Sequence, residues 1–92
     1  MAKVEVNKAF TMGIEEVKAG MQEIAEYLAS EHGMSYQWQG DSEVCFKHKA
    51  GKGSLKIVGQ ELQLSIKLSL IYSAMAPVIK KRIMDWSEEN IY

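Results

Sequence analysis

The side chains able to do chemistry are few and widely separated. The chain has two histidines, His32 and His48, and one cysteine, Cys45. Cys45 and His48 stand three residues apart in a segment that alternates as a strand. Successive strand side chains point to opposite faces, which argues against a thiolate-imidazole pair. No serine or cysteine sits in a nucleophile-elbow context. Two distant histidines among scattered carboxylates give no metal-ligand spacing. Gly51-Lys52-Gly53-Ser54 has the composition of a phosphate loop, but it lacks the full Gly-x-x-x-x-Gly-Lys-Ser/Thr arrangement opening onto a helix, and both of its flanks read as strands. It reads as a hairpin turn. The residues therefore predict a non-enzymatic protein with no catalytic side chain, no metal and no cofactor.

What remains is a pattern for binding. If the strand phases hold, Lys47, Lys49, Lys56 and Lys67 project with Cys45 from one wet face, while the acidic residues gather on the opposite, helical side. A lysine near an anionic surface contributes on the order of 1 kcal/mol, so such a face could hold an anionic partner. The same lysines would also keep an open sheet soluble and discourage edge pairing. Nucleic acid is disfavoured, because sheet-based single-strand binders stack bases on exposed aromatics and Tyr36 and Trp38 fall in the dry phase. A second candidate surface is the junction containing Ile71, Tyr72 and Met75. Exposed together, with Ile91 and Tyr92 of the tail nearby, they would form an apolar patch for a partner or for a second copy of the chain.

These residues must be positioned by a sheet. From Leu62 to Leu70, apolar and polar residues alternate without a break, placing five aliphatic side chains on one face and Gln63, Ser65, Lys67 and Ser69 on the other. Val4 and Val6 begin a first strand. Tyr36 and Trp38 define a second, and Val44, Phe46 and His48 one phase of a third. Leu55 and Ile57 continue the dry face in a fourth. Gly40-Asp41-Ser42, Ala50-Gly51-Lys52-Gly53 and either Gly59-Gln60 or Gln60-Glu61 supply the turns. Between the first two strands, Ile14, Val17, Met21, Ile24 and Leu28 recur at helical spacing. Glu15 and Glu16 lie where the helix dipole favours negative charge, and Gly33 can end the helix. Glu16, Glu23, Glu26 and Glu31 mark its solvated face. Pro77 suits the first turn of a second helix, with Ile79, Ile83 and Trp86 on one stripe and Lys81 and Asp85 spaced for a surface pair.

A sheet wet on one side needs cover on the other, and two amphipathic helices are available. The expectation is an α+β domain spanning residues 1–92, an antiparallel sheet of about five strands with two helices on one face, in the order β-α-β-β-β-β-α. The first strand should pair with the last, leaving the second at the far edge. The chain has 92 residues, enough for one core but little room for an enclosed ligand cavity. A formal charge of -1 gives no net pull toward polyanions. A single cysteine, an N-terminus without a signal-peptide apolar region, and no stretch of membrane-spanning length predict a soluble cytoplasmic protein.

Met12-Gly13-Ile14-Glu15-Glu16, the Tyr36-Gln37-Trp38-Gln39-Gly40-Asp41 turn, Phe46, Gly51-Lys52-Gly53-Ser54-Leu55 and the Pro77-containing last helix occur in this element order over essentially the whole chain. In these features the sequence resembles the small bacterial proteins of the polyhydroxyalkanoic acid system family. The resemblance implies a cytoplasmic, granule-associated accessory or binding protein of the polyhydroxyalkanoate storage system. Its partner would be the polyester granule surface or a granule-associated protein. It supplies no agreed activity and no functional residues to carry over. The alternative is a small acyl- or lipid-binding module resembling a minimal helix-grip domain, which would need a cavity between Trp86 and the sheet.

Overall fold

Residues 2–49 and 51–92 are described by a computed structural model. Met1 and Ala50, the residue expected to open the second hairpin turn, lie outside the described residues. Where apolar residues alternate, the chain forms β1 (Ala2–Ala9), β2 (Ser35–Gln39), β3 (Glu43–His48), β4 (Gly51–Val58) and β5 (Glu61–Leu68). Where they recur every three or four positions, it forms α1 (Ile14–His32) and α2 (Ala76–Asn90), and a short 3-10 helix, Leu70–Met75, links β5 to α2. The class is α+β in the expected order. One sheet runs β1-β5-β4-β3-β2, every neighbour antiparallel. The first strand does pair with the last, and β2 is the far edge.

One face of this sheet is dry. Val4, Val44, Phe46, Leu55, Leu62, Leu64, Ile66 and Leu68 are buried there in a single cluster with Val17, Met21, Ile24 and Leu28 of α1 and Ile79 and Ile83 of α2. Burying an aliphatic side chain of this size stabilises the fold by roughly 1.5–3 kcal/mol. The top of the expected α1 stripe does not take part: Ile14, at the first position of the helix, is 44% exposed. Gly33 ends α1 in the left-handed conformation at φ 67°, and the amides of Gly33 and Met34 close on the carbonyls of Ala29 and Leu28 at 3.1 and 3.2 Å. At the edge strand, Trp38 Nε1 donates to Gln22 Oε1 at 2.9 Å and Gln22 Nε2 donates to Tyr36 Oη at 3.0 Å. The dry-phase aromatics thus keep their polar tips paired to α1.

The strand expected to run to Leu70 ends at Leu68, and Leu70 opens the 3-10 helix, exposed rather than on the dry face. Two further expectations are corrected. Gly51, Lys52 and Gly53 belong to β4 rather than to a turn, because His48 pairs directly with Gly51. Gly53 faces Phe46 on one side and Ile66 on the other. A Cβ there would lie 2.5 Å from the Ser65 carbonyl oxygen and 2.8 Å from Ile66 Cγ1, so close approach, and not turning, requires the glycine. The C-terminal tail is the second correction. Ile91 is fully buried, and the Tyr92 carbonyl accepts from the amides of Thr11 and Met12 at 3.1 and 2.8 Å. That fastening is at the opposite end of α2 from the 3-10 helix. A 15-residue helix puts the two ends about 22 Å apart, so Ile91 and Tyr92 are not neighbours of Ile71.

Candidate functional site

The open face of the sheet follows from the register. Lys47 stands opposite Lys52, Lys52 opposite Lys67, and Lys67 opposite Lys3. Four lysines therefore form one row across four neighbouring strands, completed by Ser35 on β2. Strands lie about 5 Å apart, so Lys47 and Lys67 are roughly 10 Å apart and the whole row spans roughly 14 Å. The next row toward the far end is Gln37, Cys45, Ser54, Ser65 and Glu5, and the one after is Gln39, Glu43, Lys56, Gln63 and Asn7. The face is cationic at one end and mixed at the other.

Charge balance in this row is poor. Lys3 pairs with Glu5, and that contact holds the Glu5 carboxyl below its ordinary range. Lys47, Lys52 and Lys67 pair with no carboxylate among the described residues. Like charges directly opposite each other on a sheet cost a few tenths of a kcal/mol to about 1 kcal/mol per pair. Folding gains nothing from such a row. Two shallow depressions flank it, one floored by Ser54 and Ser65, the other by Gly51 and Ser69.

The expected site residues divide accordingly. Lys47 and Lys67 are brought together in the row, and Lys49 lies in the adjoining β3-β4 connection. Lys56 is two rows away, beside Glu43 and Gln63. Sequence reasoning missed Lys3 and Lys52. Lys52 shares its phase with Ser54 and Lys56, so continuing the β4 alternation backward through the glycines would have found it. The junction residues also separate. Tyr72 and Met75 are half-buried against the core, with the Tyr72 ring edge-on to His48 at 5.6 Å. The apolar surface belongs to Leu70 and Ile71, 75% and 87% exposed at the lysine end of the sheet. Acidic charge is concentrated on α1, through Glu15, Glu16, Glu23, Glu26 and Glu31, but α2 is mixed, with Lys80, Lys81 and Arg82 preceding Asp85, Glu88 and Glu89. Lys81 and Asp85 form the expected pair at 3.0 Å.

Cys45 lies on the open face and His48 in the dry phase, so the strand separates them. His32 is engaged elsewhere: its Nε2 is 2.9 Å from Tyr27 Oη, with the rings edge-on at 5.3 Å. Burial lowers the His32 pKa and raises that of Tyr27. The Arg82 guanidinium sits 5.9 Å over the Tyr27 ring. Beside this cluster, between α1 and α2, is a cleft of about 200 Å³ lined by Glu23, Ile24, Tyr27, Arg82, Ile83 and Trp86. The acyl-binding alternative would need a cavity between Trp86 and the sheet, whereas this cleft places Trp86 against α1. Leu64 and Leu68 are sealed in the core, while Trp86 leans over Gly20, where a Cβ would approach its Cη2 to 2.9 Å.

Residues 4–90 match the model of a family described as polyhydroxyalkanoic acid system proteins. No curated protein matches the chain.

Proposed function

The chain belongs to the polyhydroxyalkanoic acid system family, and from that premise we propose that it is a cytoplasmic, non-enzymatic accessory protein that works by contact at the storage granule. The observation that carries this reading is the row of Lys47, Lys52 and Lys67, an uncompensated cationic surface on a chain of net charge -1. Leu70 and Ile71 at the same end supply apolar contact. The separation of Cys45 from His48, and the engagement of His32 with Tyr27, support a binding role over a catalytic one. Co-sedimentation of the purified protein with native polyester granules tests it. The protein should pellet at low salt and be released at high salt, and Lys47→Glu with Lys67→Glu should abolish pelleting while leaving the fold intact. Failure of the wild-type protein to pellet at low salt would refute the reading.

The interhelical cleft favours a second reading, an acyl-binding module. Ile24, Ile83 and Trp86 offer apolar walls and Arg82 a cation for a carboxylate, in a volume suited to a short chain only. NMR titration with short hydroxyacyl acids should shift Ile24, Ile83 and Trp86 if this is correct, and nothing if it is not.

A further inference from the structure

We infer that the lysine end of the sheet seats on an anionic phospholipid surface, with Lys47, Lys52 and Lys67 at headgroup level and Leu70 and Ile71 entering the acyl boundary. This identifies the chemistry of the contact and rests on the reading of that end as the contact surface. Two observations select this occupant. The lysines share one register and one face over roughly 10 Å, which matches a surface of many negative charges better than one small anion. The two most exposed large apolar side chains of the described residues, Leu70 and Ile71, lie where β5 leaves the sheet, just past Lys67. Peripheral membrane binding combines these two elements, a cationic belt and a short apolar insertion, because long lysine stems allow the ammonium groups to stay wet while the apolar groups go deeper.

Other occupants fit less well. A neutral polyester would satisfy Leu70 and Ile71 but leave the row unmatched. A single-stranded nucleic acid would want aromatic platforms, and Tyr36 and Trp38 are on the opposite face, bonded to Gln22. No helix among the described residues is long and apolar enough to cross a membrane, so the attachment is one of surface contact. With a net charge of -1, the chain gains nothing from its overall charge near anionic lipid. Attraction must come from the end where the lysines are concentrated.

Vesicle co-sedimentation tests the inference, using phosphatidylcholine vesicles with and without phosphatidylglycerol. Wild-type protein should pellet only with phosphatidylglycerol present and dissociate as salt is raised. Each lysine among Lys47, Lys52 and Lys67 changed to glutamine should weaken partitioning about five-fold. Leu70→Ser with Ile71→Ser should weaken it again and remove whatever binding survives in high salt. Circular dichroism melts of each variant keep a folding defect from being mistaken for lost binding. Equal binding to vesicles of phosphatidylcholine alone, or no binding to phosphatidylglycerol vesicles at low salt, would overturn the inference. If granules still pellet the protein while anionic vesicles do not, the lipid contact fails and the granule contact stands. If vesicles bind it and granules do not, the reverse holds.

Discussion

Two rows of the sheet, one residue apart in every strand, are built on opposite terms. On the dry side run Tyr36, Phe46, Gly53, Ile66 and Val4. The smallest residue there, Gly53, is set between two large ones, Phe46 and Ile66. On the open side run Ser35, Lys47, Lys52, Lys67 and Lys3, a line of like charges that works against the fold. The same backbone carries both. The first row answers to packing, and the second to solvent, where its lysines keep the open face soluble at a cost in repulsion.

That contrast can be broken most severely from the dry side. Ile66→Ala removes a fully buried side chain and should cost roughly 2–5 kcal/mol in a denaturant melt, and a loss well below this would mean that the row is not a core. Gly53→Ala drives a Cβ against the Ser65 carbonyl and Ile66, and should cost about 1–3 kcal/mol. On the open side the sign reverses. Lys52→Gln relieves repulsion from both neighbours and should raise stability by about 0.2–1 kcal/mol, seen as a higher denaturation midpoint at unchanged slope, while anion binding falls. A destabilised Lys52→Gln would show that the lysine packs usefully and that the row needs no functional explanation.

The smallest effect lies away from both rows, at His32. Its folded pKa is below the ordinary value, chiefly because burial disfavours the charged ring. As pH falls through about 6.5, the unfolded chain takes up the proton first, so this part of the stability is present at neutral pH and lost on acidification. Melts between about pH 7.5 and about pH 5.5 should show a shallow decline that His32→Gln flattens. An unchanged decline would assign the effect to another group.

The dry row was largely legible in the sequence and the lysine row only in part. Alternation from Leu62 to Leu70 marked the buried face for Leu62, Leu64, Ile66 and Leu68 but overran at Leu70, which is exposed, and covering that face required both helices. Register, however, depends on where each turn begins. Reading Gly51-Lys52-Gly53 as a turn took Lys52 out of the sheet, although Gly53 is there to let Ile66 and Ser65 come close. Lys3 could be placed beside Lys67 only once β1 and β5 were paired in a definite register. Exposure at the junction was equally hidden. Ile71 and Tyr72 are adjacent apolar residues, and nothing local distinguishes the one that covers His48 from the one left in solvent.

Placing the unpaired lysines at one end of the open face, with the glutamates of α1 on the far side of the sheet, makes this nearly neutral protein an electric dipole. In the field of a charged surface it would feel a torque before it felt a contact, and would arrive with the same end leading each time. Orientation on approach would then be set by the fold itself, and it would weaken as added salt shortened the reach of that field.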